Sequence, residues 1–278
     1  MKSVKSSEIT AAVRELAMRA SCDLEPDILD KLLAARDREK SPLAKNALEM
    51  LVTNANIASR ELIPVCQDTG IGVVFVSMGQ EVMVEGNLEE AIQEGIRAGY
   101  ADGYLRKSVC DPVNRKNTGT NVPAVVHYEI VPGDMLHIGF LPKGCGSENM
   151  SGLVMLPPSA GISGVEEYVV QKVKDAGSNP CPPVVVGVGL GGTFEKAPLM
   201  AKRSLMRPLG EANPDARVAE IEQNILARIN REGQGVMGWG GENTALAVHV
   251  ETYPTHIASL PVAVNIQCHA HRHKEIEL

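Results

Sequence analysis

The apolar residues of the first sixty positions recur at the spacing of amphipathic helices. One buried face follows the i, i+4, i+7, i+8 pattern at Ile9, Val13, Leu16 and Ala17. A second helix is predicted around residues 28–33. A third is predicted from Ser41-Pro42, because a capping serine followed by proline is typical of a first helical turn. Pro64 ends the helical pattern.

From residue 71 onward, β-branched runs predict strands. Residues 71–76 form a continuous apolar run, and residues 81–84 are expected to pair with it. Residues 122–131 and 135–141 flank the turn sequence Pro132-Gly133-Asp134, which predicts that these two strands form a hairpin. A further apolar run at 184–188 predicts the most deeply buried of the strands.

Helices are predicted to alternate with these strands. Their start and stop signals indicate helices at 88–103 after Asn87, from Ser163 to Gly177, around 195–205, and from Asn213-Pro214 to Gly233. The fold class is therefore α/β, in the sense of a mixed α+β fold. We expect a helical N-terminal lobe (residues 1–62) packed on a mixed α/β body (residues 63–278).

Composition narrows the function classes. The net charge of −7 argues against a general nucleic-acid or membrane role. No apolar run approaches the roughly 20 residues of a membrane span, and the N-terminal residues lack the apolar core of a signal peptide. The six cysteines lack the short regular spacing of a secreted disulfide framework, so a reducing cytoplasm is expected.

Three of the six cysteines stand apart because each adjoins Gly, Pro or polar neighbours in a loop: Cys66, Cys181 and Cys268. Soft thiolates from distant loops suit an iron–sulfur cluster or zinc. Three thiolates on a four-iron cluster would leave one iron open to substrate. Cys145, in Lys-Gly-Cys-Gly-Ser, stays open as a fourth ligand, whereas Cys22 and Cys110 are expected to be buried hydrophobes.

The residues after Cys66 place an amide and a carboxylate beside the thiol. Gln67 and Asp68 either form an ordinary turn before a strand, or they bind a substrate carboxylate and position a group for proton transfer. The polar run Asn117–Asn121 is likewise either a turn or a recognition loop.

Three other motifs have competing interpretations. Residues 187–192 match Gly-x-Gly-x-x-Gly but lack an acidic residue ending a second strand, so a dinucleotide cofactor is not expected. The tract Cys268–His273 is either a metal tract or a solvated C-terminal segment. The glycine-rich run Gly233–Gly241 indicates either a mobile loop or a close approach of two backbones.

Five motifs in order along the chain resemble the α region of the iron–sulfur fumarate and tartrate hydro-lyases, the class I fumarate hydratases and L-tartrate dehydratases: Cys-Gln-Asp-Thr-Gly, Asn-Thr-Gly-Thr-Asn-Val-Pro-Ala, Lys-Gly-Cys-Gly-Ser-Glu-Asn, Asn-Pro-Cys-Pro-Pro and Gly-Gly-Thr-Phe-Glu-Lys-Ala. The resemblance implies that residues 1–278 adopt the hydro-lyase α-region fold. It also implies a separate β subunit that completes the site, an α2β2 assembly and a small dicarboxylate substrate.

The resemblance implies site residues as well. The ligands of a [4Fe–4S] cluster with one iron open to substrate fall on the three loop cysteines, and Cys145 is not among them. Substrate contacts fall on Gln67, Asp68, Arg106, the backbone of Gly146, and His256, with Asp68 and His256 as candidate catalytic groups.

Residues 143–149 look more like the fumarate enzymes, which predicts reversible hydration of fumarate to L-malate, a tricarboxylic acid cycle reaction. The alternatives are an L-tartrate dehydratase α subunit and a non-catalytic metal-binding interaction module.

Overall fold

In the computed structural model, which describes residues 2–278, the chain divides into two units. The first unit comprises the N-terminal segment up to Glu25, the segment Asn54–Cys145 and the C-terminal segment Arg272–Leu278. The second unit comprises Pro26–Thr53 and Gly146–His271. The chain therefore leaves the first unit twice and returns to it for its last seven residues.

The helices and strands form a mixed α/β fold. The helices are α1 (Ser6–Cys22), α2 (Pro26–Arg38), α3 (Pro42–Glu61), α4 (Leu88–Asp102), α5 (Cys145–Glu148), α6 (Gly161–Ala176), α7 (Lys196–Arg203) and α8 (Ala216–Glu232). The strands are β1 (Lys2–Lys5), β2 (Ile71–Gly79), β3 (Val82–Glu85), β4 (Val125–Val131), β5 (Leu136–Lys143), β6 (Gly152–Leu156), β7 (Val184–Gly191), β8 (Ala245–Tyr253), β9 (Leu260–Gln267) and β10 (Lys274–Glu277). Within residues 2–278, no helix is both long enough and apolar enough to cross a membrane.

The predicted helices are confirmed, and so are their clearest sequence signals. Asn87 caps α4 by accepting the Glu90 N–H, and Ser41 Oγ accepts the Ala44 N–H at the start of α3. The helix predicted from Ser163 begins two residues earlier, at Gly161. Helix α1 lies in the first unit and α2 in the second.

The first unit packs α1 and α4 against a four-stranded sheet of order β10-β5-β2-β4, beside the two-stranded pair β1-β3. Two glycines of α4 allow the helices to approach closely. A Cβ at Gly95 would lie 2.7 Å from the Cβ of Val13, and one at Gly99 would lie 2.8 Å from the Cβ of Ala17. Side chains at these positions would push α4 away from α1.

Two strand pairings differ from the prediction. Strands β4 and β5 do not form a hairpin, because β2 lies between them, parallel to β4 and antiparallel to β5. The turn that follows β2 also lies next to the turn between β4 and β5, because the Glu81 N–H donates to the carbonyl of Gly133. With both of its edges occupied, β2 cannot also pair with residues 81–84, and β3 pairs with β1 instead.

The second unit contains one sheet of order β6-β9-β7-β8, in which β7 is buried along its whole length. Because side chains alternate across a strand, the alternate residues Val184, Val186 and Val188 face α6 and α8, while Gly187 and Gly189 face α7. A Cβ at Gly187 or Gly189 would lie 2.0 Å from a carbonyl oxygen of α7. The Gly-x-Gly-x-x-Gly sequence therefore serves helix–sheet packing.

Candidate functional site

The Cys66 turn lies in the first unit, between α3 and β2. The preceding residue, Val65, is fixed on both sides: its N–H donates to Ser21 O at 3.0 Å, and its carbonyl accepts Asn54 Nδ2 at 2.8 Å. The Cys66 sulfur accepts the backbone N–H of Asp68 at 3.4 Å and remains partly exposed. The turn thus presents a thiol beside the exposed side chain of Gln67.

Asp68 is held by three hydrogen bonds, two to its carboxylate and one to its backbone carbonyl. Its Oδ1 accepts the Gly70 N–H at 3.0 Å, its Oδ2 accepts the Cys145 N–H at 2.8 Å, and its carbonyl accepts Nη2 of Arg272 at 2.8 Å. The carboxylate therefore orients both the Cys66 turn and the segment before α5. The same aspartate is half-buried, so it also borders solvent.

Arg106 lies close to the Cys66 turn in the first unit. Its carbonyl accepts Thr69 Oγ1 at 2.8 Å, and its side chain is exposed. The neighbouring loop is fixed by Asn121, whose Oδ1 accepts the N–H groups of Ser108 and Val109 and whose Nδ2 donates to Gly70 O. Asn121 is fully buried, so this part of the polar run is a structural support for Arg106.

Tyr100 supports the same turn from beneath. Its hydroxyl donates to the carbonyls of Thr69 at 2.6 Å and Gly70 at 3.1 Å. Burial raises the pKa of this phenol, so it remains a neutral hydrogen-bond donor. The first unit consequently holds the Cys66 turn through buried groups on several elements.

The second unit brings the Cys181 and Cys268 loops together. Both the backbone N–H of His269 and its Nδ1 lie at hydrogen-bond distance from the carbonyl of Cys181, at 3.3 and 3.0 Å. Cys181 has a left-handed backbone with φ of 56°, next to a cis peptide between Pro182 and Pro183. His269 thus links the loops that carry two of the three predicted ligands.

The glycine-rich run packs against the Cys181 loop, which decides between its two interpretations. Met237 N–H donates to the carbonyl of Pro182 at 2.8 Å, and a Cβ at Gly238 would lie 2.7 Å from the Cβ of Ser178. Gly241 makes a similar close approach, because a Cβ there would lie 2.7 Å from Oε2 of Glu39. The run is therefore a close approach of the backbone to its neighbours, and Gly238 is the glycine that supports the Cys181 loop.

His256 lies on an exposed loop of the second unit, where it lines a cavity of about 450 Å³. Its Nδ1 accepts the Ala258 N–H at 3.1 Å, so in the neutral ring the proton is on Nε2. The cavity also contains the segment from Gly192 to Lys196, and the Lys196 ammonium lies 5.0 Å from the centre of the Tyr253 ring. Gly146, in the same unit, is exposed at the start of α5.

The histidine tract is not solvated. His271 and His273 are buried, and His271 Nε2 lies 2.7 Å from the carbonyl of Leu205. Between them, Arg272 is only 1% exposed and donates to Asp68. Sequence analysis missed this arginine, because alternating polar residues near a chain end carry no signal of burial.

The cysteines differ in exposure, and none of the six forms a disulfide bond. Cys66, Cys181 and Cys268 are partly exposed on loops, and Cys22 is buried as expected. Cys110 was expected to be buried but is partly exposed, because it lies on the polar loop paired with Asn117.

The donor chemistry of the three loop cysteines fits an iron–sulfur cluster, because soft thiolates are its usual ligands. Cys66 belongs to the first unit, and Cys181 and Cys268 belong to the second. Across residues 2–278, no three His, Cys, Asp or Glu side chains converge on a single-ion site.

The chain is similar along nearly its whole length to a known family model and to several named proteins. A family model described as fumarate hydratase (Fumerase) matches residues 10–277. A protein of Methanocaldococcus jannaschii, provisionally named L(+)-tartrate dehydratase subunit alpha, is 39% identical, with 95% of each chain covered. The L(+)-tartrate dehydratase subunit alpha of Escherichia coli strain UTI89 is 32% identical and that of strain K12 is 30% identical, each over 96% of this chain and 89% of the relative.

Proposed function

The chain belongs to the class I fumarate hydratase and L-tartrate dehydratase family, and we propose that it is the α subunit of a [4Fe–4S] hydro-lyase that hydrates fumarate reversibly to L-malate. The observation that carries the proposal is the match of residues 10–277 to the family model, combined with three partly exposed loop cysteines that form no disulfide bond. Cys66, Cys181 and Cys268 would hold the cluster. When bound, the cluster supplies a Lewis acid for the hydroxyl group and a carboxylate of the substrate.

The chain's own residues would bind and orient the dicarboxylate. Arg106 offers an exposed guanidinium next to the Cys66 turn, suited to a charge-assisted contact with a carboxylate. Gln67 adds an exposed amide, and the exposed Gly146 adds a backbone N–H. Asp68 holds the turn from which Gln67 projects, because its carboxylate accepts backbone N–H groups on both sides.

His256 would act as a substrate donor. Because its Nδ1 accepts the Ala258 N–H, the neutral ring presents Nε2–H as a donor. The cavity that it lines also contains Lys196, which would offer a cationic contact to a substrate carboxylate, beside the carboxylate of Glu195. Proton transfer near the C–H bond of the substrate would involve Asp68 or a residue of a partner chain.

The proposal includes a β subunit and a cytoplasmic location. The relatives are named as alpha subunits, which implies a partner that contributes the rest of the site. We propose an α2β2 assembly. A reducing compartment agrees with six cysteines that form no disulfide bond.

L-tartrate dehydration is the second candidate, and the names of the relatives favour it. Both reactions remove or add water on a four-carbon dicarboxylate, so the same cluster and the same carboxylate contacts serve either substrate. The fumarate proposal rests on the sequence of residues 143–149.

The test is anaerobic co-expression of the chain with its β subunit, followed by assays with fumarate and L-tartrate and by iron analysis of the same sample. Fumarate turnover with about four irons per αβ pair is the expected result. Tartrate turnover alone would replace the substrate and keep the reaction class. A folded pair that binds zinc and converts neither substrate would reject the hydro-lyase and support a metal-binding interaction module.

A further inference from the structure

Arg272 is a buried cation whose partners within the described residues do not neutralise it. Its side chain is 1% exposed, and Nη2 donates to the carbonyl of Asp68 at 2.8 Å. Within residues 2–278, Nε and Nη1 have no hydrogen-bond partner. Burying a guanidinium with free N–H groups is unfavourable, so the site calls for an anionic acceptor.

The neighbouring acidic groups do not supply that anion. Both carboxylate oxygens of Asp68 accept backbone N–H groups, and only the Asp68 carbonyl contacts the guanidinium. Burial raises the pKa of Cys22, against the opposing effect of the Arg272 charge, so that thiol stays neutral. Lys274, two residues further on, contrasts with Arg272, because its ammonium pairs with Asp23 at 3.3 Å and Glu25 at 2.9 Å.

Arg272 contacts Asp68, the residue that also forms a hydrogen bond with the Cys66 sulfur. The same Asp68 whose carbonyl accepts from Arg272 donates its N–H to Cys66 Sγ at 3.4 Å. The guanidinium also packs against the segment before Cys145, since a Cβ at Gly144 would lie 3.7 Å from Nη2. All of these residues belong to the first unit.

We propose that Arg272 is a positioning residue that fixes the Cys66 turn and compensates the negative charge of the thiolate-bound cluster. The inference rests on the proposed function, because it requires the cluster. It predicts that the arginine destabilises the metal-free chain and stabilises the loaded one. An ordinary structural arginine would stabilise both.

The experiment reconstitutes the full chain anaerobically with ferrous iron and sulfide. It compares wild type, Arg272→Gln, Arg272→Lys and the control Lys274→Gln, which removes a buried charge that already has carboxylate partners. Iron and sulfide content, the rate of iron loss to a chelator, the melting temperature with and without cluster, and the reduction potential of the cluster are measured. None of these readouts depends on turnover.

For Arg272→Gln we expect a melting temperature of the metal-free chain no lower than that of wild type, iron loss at least tenfold faster, and a more negative reduction potential. The potential falls because a positive charge that favours the reduced cluster is removed. Arg272→Lys should restore the potential, and Lys274→Gln should leave it near the wild-type value.

Three results would overturn the inference. One is an Arg272→Gln chain with wild-type iron retention and potential. Another is equal loss of stability in the metal-free and loaded forms. The third is an unchanged cluster with a raised KM in the αβ complex, which would assign Arg272 to a substrate carboxylate. Failure of wild type to take up iron both alone and in the αβ complex would instead reject the proposed function itself, so the two failures are distinguishable.

Discussion

Replacing Gly238 by alanine should weaken the support of the Cys181 loop. Gly238 has φ of +77°, and a Cβ there would lie 2.7 Å from the Cβ of Ser178. A left-handed non-glycine residue costs about 1–2 kcal/mol, and overpacking of a close contact costs about 1–3 kcal/mol. Gly238→Ala should therefore destabilise the second unit by about 2–5 kcal/mol.

Gly240 provides a matched control in the same segment. Its φ is +87°, but a Cβ there would have no heavy atom within 4 Å. Gly240→Ala should therefore lower the free energy of unfolding only by the cost of a left-handed backbone at a non-glycine residue, about 1–2 kcal/mol. The difference between the two variants isolates the contact with Ser178, and with it the effect on the Cys181 loop.

The single tryptophan provides a fluorescence signal from the glycine-rich segment itself. Trp239 lies between the two glycines, so urea unfolding followed by its fluorescence reports on this segment. Iron retention after reconstitution is measured on the same variants, and Gly238→Ala should lose iron faster than Gly240→Ala. Equal destabilisation and equal iron retention would refute the view that the glycine-rich segment supports the Cys181 loop.

Three further changes test other parts of the site. Cys181→Ser should lose the cluster and the activity together, whereas Cys145→Ser should keep both; full iron content in Cys181→Ser would contradict the ligand assignment. Arg106→Ala should keep the cluster but lower kcat/KM by roughly 30- to 1000-fold, as expected for a lost contact of about 2–4 kcal/mol, and a change below about threefold would exclude a substrate role. Burial raises the pKa of Glu39, but hydrogen bonds from Ser41, Asn243, Glu242 and Lys40 outweigh burial and hold that pKa below its usual value. The stability from Glu39 is therefore present above the unfolded pKa and is lost as the pH falls through the folded pKa. Glu39→Gln should cost about 1–3 kcal/mol at neutral pH and flatten this acid dependence; unchanged urea unfolding at pH 7 would contradict it.

Local signals predicted the helices well because each signal acts within a few residues. Ser41 and Asn87 cap helices through contacts three residues away, and the sequence shows both partners. The strand β7 was recognisable for a similar reason, since a run of valines that is buried on both faces reads as one apolar segment.

Pairing between strands could not be predicted in the same way. The turn at Pro132-Gly133-Asp134 is present, but β2 lies between the two strands that flank it. A turn sequence predicts that the chain reverses direction, but it does not predict whether the two strands that flank the turn pair with each other or with a third strand between them. The long apolar run of β2 favours the more central, doubly paired place in the sheet, and that preference acts through tertiary packing.

The site residues divide in the same way, into those that local sequence signals marked and those that depend on contacts between distant parts of the chain. Cys66, Cys181 and Cys268 could be singled out because glycine, proline and polar neighbours mark their loops. The burial of Arg272 had no such signal, because it results from the contact with Asp68, 204 residues away along the chain. The role of His269 was likewise hidden, since it depends on the carbonyl of Cys181.

The path of the chain between the two units sets an order of assembly during synthesis. Strand β10 completes the edge of the first unit's sheet by pairing with β5, and the segment Gly146–His271 is translated between these two strands. The first unit's sheet therefore cannot be completed until this whole segment of the second unit has been synthesised. The first unit thus begins to be synthesised before the second but receives Arg272 and β10 after it. The Cys66 turn, which comes early in the chain, depends on an arginine contact that cannot form until some two hundred further residues have been made.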